Sequence, residues 1–360
     1  MHGTIKGRGS RQVLPGRFAV TVAQAEDDGW HQRDSDDEAL DVLPRTQVSE
    51  ERARSIVSRN DSPDVGFSQS VNPYRGCEHG CAYCFARPTH SYLDLSPGLD
   101  FETRLFAKTN APELLRAEFA RRGYVPSPIA LGINTDAYQP LERRLRLTRR
   151  IIEVMAQARH PFSLITKNAL VTRDIDLLAP LAAQNLVSVA LSVTSLDNRL
   201  SARLEPRASA PRARLQAMRE LAQAGIPVSV MVAPVIPWVT DAHLERVLEA
   251  ARDAGAGNAG YVLLRLPHEV APLFRDWLAA HAPERAAHVM STIGQLRGGR
   301  DYDSRFGVRM RGQGVYADLL ARRFELACRR LGYDRQPWPA LDCSRFVPPR
   351  PPSPQGELFA

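Results

Sequence analysis

The sequence lacks what a membrane or secreted protein needs. Its longest apolar run, Ile226 to Val239, is interrupted by Pro227, Pro234 and Pro237, which excludes a membrane-spanning helix. The first residues, MHGTIKGRGSRQ, have no apolar core of the kind a secretory leader carries, so the expected compartment is the reducing cytoplasm. Disulfides are not expected there. Cysteine is scarce, with five in 360 residues, and no second cysteine pair follows the first cluster. Structural zinc sites usually join two such pairs, so this absence weighs against one.

What is present describes a globular chain. A composition that is 44% hydrophobic and 24% charged supplies a sizeable core at this length. The net charge of +7, from 47 Lys and Arg against 40 Asp and Glu, has two readings: arginine-rich solvated faces, or an anionic partner such as nucleic acid.

Along the chain, residues 1 to 60 are polar and charged without sustained periodicity, and are expected to form a flexible extension. A core domain follows over residues 61 to 300, then a basic helical extension over 301 to 335 and a proline-rich tail over 336 to 360. Within the core, short β-branched runs alternate with stretches of helical period. The expected strands are Gly66 to Val71, Ile129 to Asn134, Phe162 to Thr166, Val187 to Val193, Val228 to Ala233 and Tyr261 to Leu266. Several intervening helices stop at a glycine, as at Gly123, Gly225 and Gly255, where a left-handed C-terminal residue is needed. Six such units predict an α/β fold, a partial (β/α)6 TIM-like barrel, with function at the C-terminal ends of its strands.

The first strand runs into NPYRGCEHGCAYCFARPTH, residues 72 to 90, which sets Cys77, Cys81 and Cys84 at CxxxCxxC spacing. Two kinds of site compete for these thiols. Zinc would close a tetrahedron by recruiting His79 or His90. A 4Fe-4S cluster would take one thiolate on each of three irons and leave the fourth iron open to a ligand. Cys328, inside a helical stretch, and Cys343, in the tail, are too remote to join either site.

With its aromatic Tyr83, the CxxxCxYC loop resembles that of the radical S-adenosylmethionine (radical SAM) superfamily. The resemblance implies a 4Fe-4S cluster on Cys77, Cys81 and Cys84, S-adenosylmethionine on the open iron, an electron donor, and reductive cleavage of that cofactor to a 5′-deoxyadenosyl radical. The segments FARPTHSYLDLSPGLDFETRLFAK, INTDAYQPLERR, ITKNALVTRDIDLL, LSVTSLDNRLSARLEPRASAPRARL and VMVAPVIPWVTD are similar to the spore photoproduct lyase-related, DNA repair photolyase-like branch. On that resemblance Tyr83 and Phe85 lie beside adenine, Thr135 and Asp136 near the methionine amino group, and Lys167 and Ser192 near the carboxylate and ribose. Glu205 and Arg207 clamp the cofactor or order its loop. The branch's additional cysteine near the second strand is missing, because the sequence there reads LGINTDAY. Gln139, Glu142 and Arg143 read as the cap and face of a helix.

Two further stretches bear on nucleic acid. Arg297, Arg300, Arg305, Arg309 and Arg311 are interleaved with Tyr302, Phe306 and Tyr316, a mixture suited to phosphate contact and base stacking and equally to an irregular connection with solvated arginines. The final QGELFA offers Gln355, Leu358 and Phe359 in a pattern similar to the peptide that docks bacterial proteins on the replication sliding clamp. The expected function is a radical SAM enzyme acting on nucleic acid. The alternative is a non-catalytic nucleic-acid-binding module stabilised by zinc or a cluster and recruited to the clamp.

Overall fold

The alternation of β-branched runs and amphipathic stretches folds into an open sheet backed by helices. The computed structural model describes residues 5–18, 45–333 and 340–349. Among these, the strands are β1 (Gln47–Glu51), β2 (Val57–Arg59), β3 (Gln69–Val71), β4 (Tyr74–Arg75), β5 (Arg104–Lys108), β6 (Ile129–Leu131), β7 (Phe162–Thr166), β8 (Val187–Ser192), β9 (Val228–Val235) and β10 (Asn258–Leu263). Seven of them form one sheet in the order β10-β9-β8-β7-β6-β3-β2. The six from β3 to β10 in this sheet run parallel, while β2 is antiparallel to β3 at the edge. This is the partial (β/α)6 barrel the sequence predicts, with a small second sheet, β1-β5-β4, beside its first strand.

Side-chain period explains the layers. In β7 the residues Phe162, Leu164 and Thr166 are buried and alternate with half-buried Ser163 and Ile165, as a strand covered on both sides requires. The helix Leu244–Asp253 buries Leu244, Val247, Leu248 and Ala251, the i, i+3, i+4, i+7 stripe that packs a helix on a sheet.

Several boundaries depart from the sequence expectation. The first strand shortens to Gln69–Val71, and the second stops at Leu131 because Gly132 turns the chain at φ +82°. The last shifts back by three residues to begin at Asn258, and its register with β9 slips between Tyr261 and Leu263. Arg265 consequently lies in the loop after the strand rather than within it.

Among the described residues, segments near both ends of the chain take up structure that composition does not suggest. β1 and β2 fall inside the stretch expected to be a flexible extension; they are short and mostly exposed, so they carry no hydrophobic periodicity. Part of the proline-rich tail also docks. Phe346 packs edge-on against Phe119 and His160, and the Val347 amide donates to the Ala158 carbonyl at 2.9 Å. This contact covers the floor of the barrel, where β7 begins. Gln355, Leu358 and Phe359 lie outside the described residues.

Candidate functional site

The cysteine loop is held from three sides. From below, Gln139 accepts from the Glu78 amide at 2.9 Å and donates to the Gly76 carbonyl at 3.1 Å. Its one amide thus bridges the residues flanking Cys77. Gln139 and Glu142 are fully buried. Glu142 accepts from the Tyr74 hydroxyl and the Arg173 guanidinium and, as the cap reading expects, from the Thr148 amide at the start of the next helix, while Gln139 is a loop anchor. From the outer side, buried Arg87 donates to the carbonyls of Cys81, Gly80 and Gly98 and pairs with buried Glu102. Gly80, at φ +63°, passes so near Glu102 that a Cβ would meet its carboxylate at 2.5 Å.

Glu102 also accepts from the Gly9 and Ser10 amides at 3.0 and 2.9 Å. These belong to a strap, residues 8–14, that crosses the loop and is tied further along by the Arg11–Asp276 ion pair and by a bond from the Leu14 amide to Ser96. A Cβ at Gly9 would collide with the Gly80 carbonyl.

On the third side stands Glu205. Fully buried, it accepts from Tyr83, Thr194 and Arg214, and Lys167 lies 3.6 Å away. Burial alone would raise its pKa, but Arg214, Lys167 and the two hydroxyls outweigh that and hold it at about 2.

Inside these supports lies a cavity of about 640 Å³ at the C-terminal ends of the strands. Cys77, Cys81, Cys84, Tyr83, Phe85, Asp136, Lys167 and Ser192 all line it, so most of the residues singled out in the sequence meet around one cavity. Asp136 accepts from Thr166 at 2.6 Å and from the Lys167 amide at 2.7 Å, with His79 3.3 Å away. Burial opposes its ionisation, yet His79 and these donors hold it at about 2.

Three expected cofactor contacts lie behind the wall. Thr135 is buried and donates to the Tyr74 carbonyl at 3.0 Å. Glu205 supports Tyr83 from outside the cavity. Arg207 pairs with Glu78 at 3.0 Å, which braces the cysteine loop.

The arginine-rich segment divides in the same way. Arg297 is buried and donates to the Val308 and Leu264 carbonyls. Arg311 sits over the Tyr261 ring, and Arg309 pairs with Asp64. Arg305 and Phe306 remain exposed.

The far wall is formed by Val262 to Arg265 with Arg309 and Met310; sequence reasoning read the first four only as strand and Arg309 only as part of a basic segment, and brought neither to the cavity. The only sequence signal was a charged residue ending an apolar run, YVLLRLP.

The donor set fits an iron-sulfur cluster. Burial pushes all three thiols upward in pKa, so a cationic centre is what would hold them as thiolates. Among the described residues no group of three His, Cys, Asp or Glu side chains converges to hold one metal ion, whereas a cubane meets each thiolate at a separate iron. Of the two histidines offered for zinc, His79 lines the cavity with both ring nitrogens engaged, and His90 keeps an unpartnered Nδ1 but does not line the cavity with the thiols. His79 faces Asp136 and Asn168, and His90 packs on Phe101 with its Nε2 against the Arg104 carbonyl.

Comparison with known proteins agrees. An uncharacterised protein of Mycobacterium bovis is 43% identical over 220 residues, which are 61% of this chain and 65% of the relative. The chain therefore spans just under two thirds of that relative's length. An uncharacterised protein of Methanocaldococcus jannaschii is 27% identical over 182 residues, 51% of this chain and 66% of its own. In the solved structure of spore photoproduct lyase complexed with dinucleoside spore photoproduct, the fold matches with a TM-score of 0.55 at 14% identity, covering 79% of each chain. A mutant of that lyase with bound AdoMet and dinucleoside spore photoproduct matches at 0.52 and 16% identity, over 79% of this chain and 77% of the other. At such identity the likeness concerns the fold. The family model of the radical SAM superfamily matches residues 71–251, half of the chain and all of the cysteine loop. The chain belongs to the radical SAM superfamily, whose cofactors are a 4Fe-4S cluster and S-adenosylmethionine.

Proposed function

We propose that the protein is a radical SAM enzyme whose substrate is a nucleic acid, with Cys77, Cys81 and Cys84 holding the cluster. The observation that carries this reading is the meeting of three thiols, two of them buried and that of Cys84 half-buried, with Asp136, Lys167 and Ser192 around one cavity. When bound, the cluster and S-adenosylmethionine supply a 5′-deoxyadenosyl radical that abstracts hydrogen from substrate.

The chain's own residues position and exclude water. Gln139, Arg87 and Glu102 fix the backbone that carries the thiols. Lys167, whose Nζ donates to the Ala233 carbonyl at 3.1 Å, and the Ser192 hydroxyl present donors to the cofactor's polar end. Tyr83 keeps its hydroxyl on Glu205, which leaves the ring as the surface offered to the cavity. Phe85 adds a second ring, exposed on the same wall.

A nucleic-acid substrate is supported by the excess of arginine and by the fold shared with a lyase solved with a dinucleoside photoproduct. Among the described residues no helix is long and apolar enough to cross a membrane, and the reducing cytoplasm suits a thiolate cluster. An electron donor completes the reaction, and the Gln355, Leu358 and Phe359 peptide would tether the enzyme to the sliding clamp.

The test is anaerobic reconstitution with iron and sulfide, followed by dithionite and S-adenosylmethionine, with chromatographic assay of 5′-deoxyadenosine. The wild type should take up the cluster and form the nucleoside. Cys81→Ala should form none while keeping its circular dichroism spectrum. Deoxyadenosine formation by that variant, or a wild-type protein that binds zinc and no cluster, would leave the non-catalytic binding module instead.

A further inference from the structure

The cavity is lined by four cationic side chains, and their partners differ. Arg59 pairs with Glu118 at 3.2 Å, Lys167 lies 3.6 Å from Glu205, and Arg309 pairs with Asp64. Arg265 has no carboxylate within ion-pair distance among the described residues. Its guanidinium rests on the Phe85 ring at 4.9 Å and near the Tyr302 ring at 5.9 Å. Its Nη2 donates to the Tyr302 hydroxyl at 3.2 Å, and its Nη1 is 3.6 Å from the Met310 sulfur. Its Nε is buried with no hydrogen-bond partner.

An unpartnered buried donor on a charged group is costly, because the lost hydration is not replaced. The planar fork is also held in place, flanked by two rings and bonded at one end, so little freedom remains to be lost when a ligand binds. The position adds chemistry. Phe85 directly follows Cys84, so the cation stands on the ring next to the third thiol, in a cavity that Lys167 also lines.

We propose that Arg265 is an anion-binding residue of this cavity and receives one oxyanion through Nε and an adjacent guanidinium nitrogen. The inference rests on the reading of the cavity as the cofactor and substrate site. The oxyanion has two sources with the same chemistry, the carboxylate of S-adenosylmethionine and a phosphodiester of the substrate. Either would give the paired N–H···O geometry that arginine favours over lysine.

Binding to the reconstituted holoprotein separates them. Equilibrium dialysis with S-adenosylmethionine and fluorescence anisotropy with a labelled oligothymidylate would be measured on wild type, Arg265→Gln and Arg265→Lys. Arg265→Gln should weaken one of the two probes by roughly ten- to a hundredfold, the range of a lost charge-assisted contact. Arg265→Lys, which keeps the charge without the fork, should fall between. Weakening of S-adenosylmethionine alone identifies the carboxylate, and weakening of the oligonucleotide alone identifies the phosphodiester. Both affinities staying within twofold of wild type, in variants with normal circular dichroism and cluster absorbance, would overturn the proposal, as would a wild type that binds neither probe. Wild-type deoxyadenosine formation reports separately on the function: its failure would sink the radical SAM reading, whereas cleavage with unchanged affinities in the variants would sink only the role of Arg265.

Discussion

The two walls of the cavity are built on different principles. The cysteine wall is backed by buried ions, Glu102 with Arg87 and Glu205 with Arg214, each carboxylate engaged by several donors. The far wall hangs on a segment held by mixed contacts: Arg309 pairs with Asp64, exposed Arg305 with Asp303, and buried Arg297 donates to the Val308 and Leu264 carbonyls. A buried pair of this kind resists change because removing one partner strands the other in a low dielectric. The contrast teaches how each part of the site is held: buried ion pairs fix the thiols, whereas Arg265 on the opposite wall is held by two rings and the Tyr302 hydroxyl, without a carboxylate.

The sharpest way to break the contrast is to empty the cysteine wall of a charge. Glu205→Ala leaves Arg214 buried and unpaired and releases Tyr83, so it should cost about 3 to 5 kcal/mol in urea unfolding and lower the iron content after reconstitution. Gln139→Ala removes both hydrogen bonds, the one accepted from the Glu78 amide and the one donated to the Gly76 carbonyl. A smaller loss of about 1 to 3 kcal/mol is expected, with iron uptake reduced more than the unfolding midpoint suggests.

Acid should sharpen the comparison. Glu205 and Asp136 are held at about 2 in the fold against about 4 when unfolded, so their stabilisation is complete above the unfolded value and lost as pH falls toward 2. His160 on the barrel floor is kept neutral by burial, with its pKa lowered to about 4. Its contribution is present above about 6.5 and lost as pH falls to about 4. The melting temperature of the apoprotein should therefore decline in two stages on acidification, and His160→Gln should flatten only the first. The smallest effect belongs to the far wall. Arg305→Ala removes an exposed guanidinium from buried Asp303, which keeps the bond from the residue 305 amide, and should lower the melting temperature only slightly, while any role of its charge would appear as a shallower salt dependence of oligonucleotide binding.

Legibility in the sequence followed the same division. The strand Phe162–Thr166 and the cysteine wall were readable because their signals are local: alternation of apolar residues, thiols at fixed spacing, and polar residues directly after strands. The far wall was not, since Arg265 ends an apolar run that reads as strand, and the slipped register of β10 leaves no trace in composition. For Glu205 and Arg207 the sequence leaves two roles, clamping the cofactor or ordering its loop, and their contacts to Tyr83 and Glu78 are with the loop, a distinction that spacing alone does not make. Strands β1 and β2 escaped for a physical reason: edge strands that bury little carry little hydrophobic pattern.

The strap over the cysteine loop imposes an order of assembly. Its docking site is the Glu102 carboxylate, about ninety residues downstream, already oriented by Arg87 and fitted against Gly80. Residues 8–14 emerge from the ribosome ahead of everything they bind, yet have nothing to dock on until the loop behind them has folded. A segment made early thus becomes a late-closing latch, and a nascent chain halted before residue 102 would carry it undocked.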